Sequence, residues 1–197
     1  MTLSILTVCT GNICRSPFAA LYLQSKLSGL TGVTVSSAGT MARDGDSMTD
    51  EMGALAERFG LEPGTHSARY LVEPYIEKAD LILPLTRGHR SEVVQMVPRK
   101  LLVTFTVREF ARLGSLVSDD EVTAAAAAGG SDAEKVKAVC RLLASRRSQG
   151  DPAADPALDD VIDPYRREDE VYELSVAQMV PALDEIARVL TLILKAA

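Results

Sequence analysis

Aromatic residues are scarce in this chain, 5% of 197 with no tryptophan, and its basic residues form no tract. With a net charge of −6 and a pI near 5.0, that composition argues against binding nucleic acid or an anionic membrane. Any affinity for a phosphate must then be local to one site. No apolar stretch approaches the ~18 residues of a membrane span. Met1 to Val8 shows neither a basic leader region nor a cleavage pattern, so a soluble cytoplasmic protein with no membrane partner is expected. Cysteines number three, an odd count not spaced as a disulfide framework, which fits a reducing compartment. Cys9 and Cys14 have no second pair of cysteines or histidines nearby to finish a tetrahedral zinc site, so no metal is expected.

What is present is a large apolar share, 47%, enough for one domain over 1–197 with a substantial core. The pattern opens strand (Leu3 to Val8), loop, helix (Pro17 to about Leu27), with Ser16 as N-cap, Pro17 at the first helical position and Gly29 past the end. A second strand is expected at Val33 to Ser36. A helix behind Ser47 follows, carrying Met48, Met52, Leu55, Ala56 and Phe59 at helical spacing and stopped by Gly60. Leu81 to Leu83, without polar alternation, and Leu101 to Phe105 read as third and fourth strands, and continuous apolar strands of this kind are covered on both faces. This alternation predicts an α/β fold with a doubly wound, four-stranded parallel sheet flanked by helices, in which ligands sit beyond the carboxyl ends of the strands.

The segment 112–160 departs from the alternation and reads as an inserted helical hairpin. Its second helix has a capping box, Ser131 with Glu134, and an apolar face of Val136, Val139, Cys140 and Leu143 that needs a partner surface. The Asp-Pro pairs at 151–152 and 155–156 suggest a mobile connector. A last helix from about Glu168 carries Leu183, Ile186, Ala187, Leu190, Ile193 and Leu194 on one stripe, with a kink expected at Pro181.

The chemistry concentrates in Cys9-Thr10-Gly11-Asn12-Ile13-Cys14-Arg15-Ser16-Pro17, set between the first strand and first helix. Unpaired N–H groups at a helix start favour anions, and the same field favours the thiolate of a cysteine held there. Five residues separate Cys9 from Arg15, enough backbone to wrap a tetrahedral oxyanion. Gly11 and Asn12 tolerate the left-handed turns that let the N–H groups of Thr10 to Arg15 converge. Arg15 adds a planar fork for two phosphate oxygens, and Ser16 can donate a hydrogen bond to the sulfur. A plain anion-binding turn with an idle cysteine would need neither.

These residues resemble the low-molecular-weight protein tyrosine phosphatase family. The likeness extends to Ser37-Ala38-Gly39-Thr40, His66-Ser67-Ala68-Arg69 and Asp163-Pro164-Tyr165, and leaves the insertion unexplained. The resemblance implies a phosphatase-I-like fold with the insertion placed before an acid loop. It implies hydrolysis of phosphotyrosine in a phosphorylated protein substrate through a cysteinyl-phosphate, without metal or organic cofactor. It makes Cys9 the nucleophile, Arg15 the transition-state clamp, Ser16 the thiolate partner and Asp163 the general acid and then base. Asn12 would lock the loop through hydrogen bonds toward Ser37 and His66, and Tyr165 would form one wall of the entrance. Cys14 would serve as a redox partner that shields Cys9 through a reversible disulfide. Cys140 reads as core packing, and His89, which follows the third strand, reads as surface with a place lining the site as the alternative. Thr86 and Arg166 depart from the family pattern, toward an entrance more basic and less aromatic than usual.

Three rival functions remain open. A bulky aliphatic residue at Ile13 suits phosphotyrosine in the family, whereas threonine there accompanies the phosphoarginine branch, which makes a protein arginine phosphatase the runner-up among hydrolases. An arsenate reductase shares the fold and loop but passes oxidising equivalents to further cysteines or to a thiol partner; the loop here continues Ser16-Pro17 as in phosphatases, and only Cys140 lies downstream. A non-catalytic phosphate reader would require neither the thiol nor a distal aspartate.

Overall fold

The computed structural model describes residues 2–148 and 156–196. Three parallel strands, β1 (Leu3–Cys9), β2 (Val33–Gly39) and β3 (Leu81–Pro84), lie in the order β2-β1-β3. The register pairs Leu3 with Val33 through Cys9 with Gly39 on one side of β1, and Ile5 with Leu81 through Val8 with Pro84 on the other. Both neighbours of β1 thus end close to Cys9, which places the start of the loop at the carboxyl edge of the sheet.

β1 is apolar on both sides, apart from Ser4 and Thr7, because both its faces are covered. Leu3 and Ile5 point into the larger core with Phe18, Leu23, Met52, Phe105 and Phe110, while Leu6 and Val8 pack with Ile76, Ile82 and Val93 on the opposite face. Helix α1 (Arg15–Lys26) connects β1 to β2, and α2 (Asp50–Arg58) follows β2. The cap of α2 is Thr49, whose hydroxyl accepts the Met52 N–H at 3.4 Å, two residues beyond the expected Ser47. Gly60, at φ 70°, supplies the left-handed residue that ends this segment. Helices α3 (Glu73–Lys78) and α4 (Arg87–Met96) bracket β3.

The expected fourth strand is reduced to one bridge, Ile82 with Thr104, joined by Phe105 N–H donating to the Ile82 carbonyl at 3.1 Å. Pro98–Val103 coils instead as a 3₁₀ helix. The Thr104 hydroxyl donates to the Lys100 carbonyl at 2.7 Å and Arg90 Nε donates to the Thr104 carbonyl at 2.9 Å. Side chains therefore take the groups a ladder would need.

Beyond the sheet come α5 (Val107–Gly114), α6 (Asp119–Ala126), α7 (Asp132–Ser145) and α8 (Asp169–Lys195). α8 runs unbroken through Pro181 and packs against α1, α2, α5, α6 and α7. The partner of the α6–α7 hairpin is thus the body of the same chain: Val122, Ala126, Val136, Val139, Cys140 and Leu143 are buried in the core that also holds Leu183, Ile186 and Leu190. The capping box on Ser131 and Glu134 is present. The expected mobile connector falls largely on 149–155, outside the described residues. Among the described residues no helix is long and apolar enough to cross a membrane.

Candidate active site

Cys9 ends β1 and Arg15 begins α1, so the intervening loop is held at both ends by regular structure. Asn12 adopts φ 54°, the left-handed region that asparagine tolerates, and becomes the hub of the loop. Its N–H points at Cys9 Sγ, 3.3 Å away, and its side-chain amide donates to Ser16 Oγ at 2.9 Å. Its Oδ1 accepts the Arg69 N–H at 3.0 Å, and its carbonyl accepts from His66 Nε2 at 2.6 Å. Of the two expected supports, His66 makes the contact and Ser37 does not. The Ser37 carbonyl instead accepts from Arg69 Nε at 2.7 Å, so Arg69 bridges the two segments.

Ser16 is buried inside α1, whose N-cap position falls to Cys14, two residues earlier than the sequence pattern predicts. The Ser16 hydroxyl is thereby free for the sulfur, at 2.9 Å from Cys9 Sγ. Since Asn12 already donates to that oxygen, the Ser16 proton goes either to Cys9 or to the more distant Ala38 carbonyl at 3.4 Å. The Asn12 N–H and the Ser16 hydroxyl thus both lie against the Cys9 sulfur.

Arg15 is 3% exposed, and its guanidinium is divided among three roles. Nη1 donates to the Val161 carbonyl at 3.2 Å and Nη2 pairs with Asp163 Oδ2 at 2.9 Å. Nε is buried with no hydrogen-bond partner among the described residues. A buried donor left unpaired is costly, which marks this N–H as one that an anion in the cradle would satisfy.

A cavity of about 280 Å³ opens over the loop, lined by Cys9, Thr10, Gly11, Ile13, Cys14 and Arg15 and by Met41, Arg43, Asp46, Asp163 and Tyr165. Asp163 and Tyr165 therefore face the loop across a chain separation of about 150 residues. Arg166, with φ 58°, lays its guanidinium 5.0 Å from the Tyr165 ring centroid. The place of a second aromatic is taken by a cation stacked on the first.

His89, expected at the surface, is buried instead and takes the alternative place beside the loop. The first turn of α4 aims it inward, where Nε2 lies 2.9 Å from Thr10 Oγ1 and Nδ1 lies 2.9 Å from Thr86 Oγ1. Thr86 also caps α4 by accepting the His89 N–H at 3.2 Å. Burial, reinforced by the Arg15 charge and opposed only weakly by Asp163, pushes the imidazole from its ordinary 6.5 down to about 4. Between those two values the unfolded chain binds the proton that the folded chain refuses, so stability contributed by neutral His89 is intact above pH 6.5 and lost as pH falls through 4. The expected loss is about 3 kcal/mol. His66, shifted down mainly by burial, acts in the same direction. Denaturant unfolding at pH 7, 5.5 and 4 should show a shallower acid loss for His89→Gln than for the wild type; parallel curves would remove His89 from the account.

The remaining cysteines differ in setting. Burial raises the Cys14 thiol to about 11, against a weaker opposing contact with Thr49 Oγ1 at 3.6 Å. Cys140 is enclosed on α7 and raised to about 12 by burial. Arg69 is the site residue that sequence reasoning did not place, and His89 the one it set at the surface first: Arg69 acts largely through a backbone N–H, which no residue pattern reveals, while the helix cap at Thr86 was the available signal for His89.

A family model described as low molecular weight phosphotyrosine protein phosphatase matches residues 4–149, which include the loop and end before Asp163. A protein-arginine-phosphatase of Geobacillus stearothermophilus is 37% identical over 110 residues, 56% of this chain and 72% of that protein. The low molecular weight protein-tyrosine-phosphatase Ptp of Acinetobacter johnsonii is 35% identical over 95 residues, 48% of this chain and 65% of that protein. The structure of a low molecular weight protein tyrosine phosphatase from T. tengcongensis aligns with a TM-score of 0.66 at 25% identity, covering 95% of this chain and 99% of that one.

Proposed function

This chain belongs to the low molecular weight phosphotyrosine protein phosphatase family, and from that premise we propose that it hydrolyses phosphotyrosine in proteins through a cysteinyl-phosphate intermediate. The observation that carries the reading is the meeting of the Asn12 N–H and the Ser16 hydroxyl at Cys9 Sγ within the loop whose other end supplies Arg15 paired to Asp163.

In the first step the Cys9 thiolate attacks phosphorus and the bond to the ester oxygen breaks, while Asp163 gives its proton to the departing phenolate. The Arg15 fork turns from Asp163 to the phosphate oxygens, and its unpartnered Nε and the loop N–H groups take the charge that builds on the trigonal bipyramid. That exchange also releases the Asp163 carboxyl to face the leaving oxygen. In the second step Asp163, now ionised, takes a proton from water, the water oxygen attacks phosphorus, and the sulfur–phosphorus bond breaks to return the thiolate. The Ser16 and Asn12 donors hold the sulfur ready for both roles, as nucleophile and as leaving group.

Ile13 lines the cavity with an aliphatic side chain suited to an aryl ring, and Tyr165 offers a second apolar wall. A phosphoarginine substrate is the second reading, favoured by the relative named a protein-arginine-phosphatase. Arsenate reduction is disfavoured because the third cysteine, Cys140, is enclosed in the core. Matched phosphotyrosine, phosphoserine and phosphoarginine peptides separate these readings. Phosphotyrosine is expected to turn over fastest, and a preference for phosphoarginine would transfer the assignment. With aryl phosphates, Asp163→Ala is expected to lower kcat/KM by about 10²-fold for poor leaving groups and far less for good ones, as loss of a general acid requires. A uniform loss would remove Asp163 from that role.

A further inference from the structure

The four residues that lead into Asp163 are held from several parts of the fold. The Asp159 carbonyl accepts from Thr106 Oγ1 at 2.7 Å, and its carboxylate is gripped by Arg112 of α5, Nε to Oδ1 at 3.0 Å and Nη2 to Oδ2 at 2.9 Å. Asp160 accepts from the Arg87 N–H at 2.6 Å and, through its carbonyl, from Arg108 Nη1 at 2.9 Å. Val161 donates to the Leu85 carbonyl at 2.9 Å and accepts from Arg15. The Ile162 N–H donates to Gln178 Oε1 of α8 at 2.9 Å. Asp163 itself is more than half exposed; its carboxylate meets Arg15 Nη2 through Oδ2 at 2.9 Å and accepts the Tyr165 N–H through Oδ1 at 3.3 Å.

We propose that Arg112 is a positioning residue for catalysis: its two-pronged grip on Asp159 anchors the stem that sets the Asp163 carboxyl over the leaving oxygen. The proposal rests on the reading of Asp163 as general acid. Among the contacts on the stem, Arg112 with Asp159 is the one bidentate ion pair, and a parallel pair of N–H···O bonds fixes direction as well as distance. The Asp159 side chain is largely buried, and the Arg112 guanidinium is held in the charged state chiefly by its hydrogen bonds to it. An acid displaced by as little as ~1 Å loses much of its effect on proton transfer. Because α5 also meets Arg147 at the end of α7 through Glu109, the helices added between sheet and acid loop brace the element that grips the stem.

The test is the dependence of kcat/KM on leaving-group pKa across a series of aryl phosphates. Arg112→Gln is expected to leave p-nitrophenyl phosphate within about twofold of wild type and to lower phenyl phosphate about tenfold, steepening the slope in the direction of Asp163→Ala. Arg112→Lys keeps a charge beside Asp159 while losing the fork; it should fall between the two and carries the test should the glutamine variant not fold. Arg99→Gln, which removes an exposed ion pair to Glu77 remote from the stem, should keep the wild-type slope, and the same steepening there would overturn the proposal. A slope unchanged in a folded Arg112 variant, or a loss uniform across leaving groups, overturns the proposal alone. A wild-type slope in Asp163→Ala overturns the acid assignment and the proposal with it.

Discussion

Cys9→Ser is expected to reduce turnover of phosphotyrosine peptides by at least ~10⁴-fold while leaving their binding close to wild type. A serine hydroxyl in this place keeps the Ser16 and Asn12 contacts in outline, but it has no means of ionising near neutrality. The groups nearby do not activate it: the imidazoles of His66 and His89 are committed to the Asn12 carbonyl and to Thr10, and the Asp163 carboxylate is paired with Arg15. The binding elements, Arg15 and the converging N–H groups, are untouched by the change. Steady-state kinetics together with calorimetric titration of a phosphotyrosine peptide separate the two effects. Residual turnover within tenfold of wild type would exclude a cysteinyl-phosphate route.

Arg15→Lys is expected to lower kcat/KM by about 10³-fold, in the range that removal of a phosphate-clamping arginine produces. Lysine keeps the charge but offers a single point where the guanidinium serves the Val161 carbonyl, Asp163 and, through Nε, the cradle at once. It cannot follow two oxygens as phosphorus passes through the trigonal bipyramid, and it leaves Asp163 without its partner. The loss should appear in the rate of the chemical step, read by single-turnover kinetics, more than in affinity for inorganic phosphate. A decrease of only a few fold would assign the clamp to the backbone N–H groups alone.

The loop was legible because its determinants are consecutive: the glycine, asparagine, arginine and serine that shape it lie within eight residues, flanked by strand and helix signals. α7 was legible for the same local reason, through its capping box and apolar stripe. Asp163 depended on a resemblance, since nothing in an Asp-Pro-Tyr triplet states that it will fold back onto Arg15. The expected fourth strand at Leu101 to Phe105 pairs with β3 through one parallel bridge, Ile82 with Thr104, because its first residues coil on from Pro98 as a 3₁₀ helix. His89 and Arg112 were illegible for another reason: their neighbours in sequence are charged or exposed, and only the phase of a helix against a distant segment decides what they meet.

Gly39 ends β2 directly beneath the loop, and a Cβ there would collide with the Thr10 carbonyl oxygen and the Asn12 nitrogen. Sheet and loop are pressed together at that point, so the shape of the cradle is templated by the second strand and stands ready before any ligand arrives. A receptor assembled in advance sacrifices no affinity to its own ordering. Free orthophosphate presents the same oxygens as the ester, so product departs against the grip that admitted substrate, and the enzyme slows itself as the ion accumulates around it.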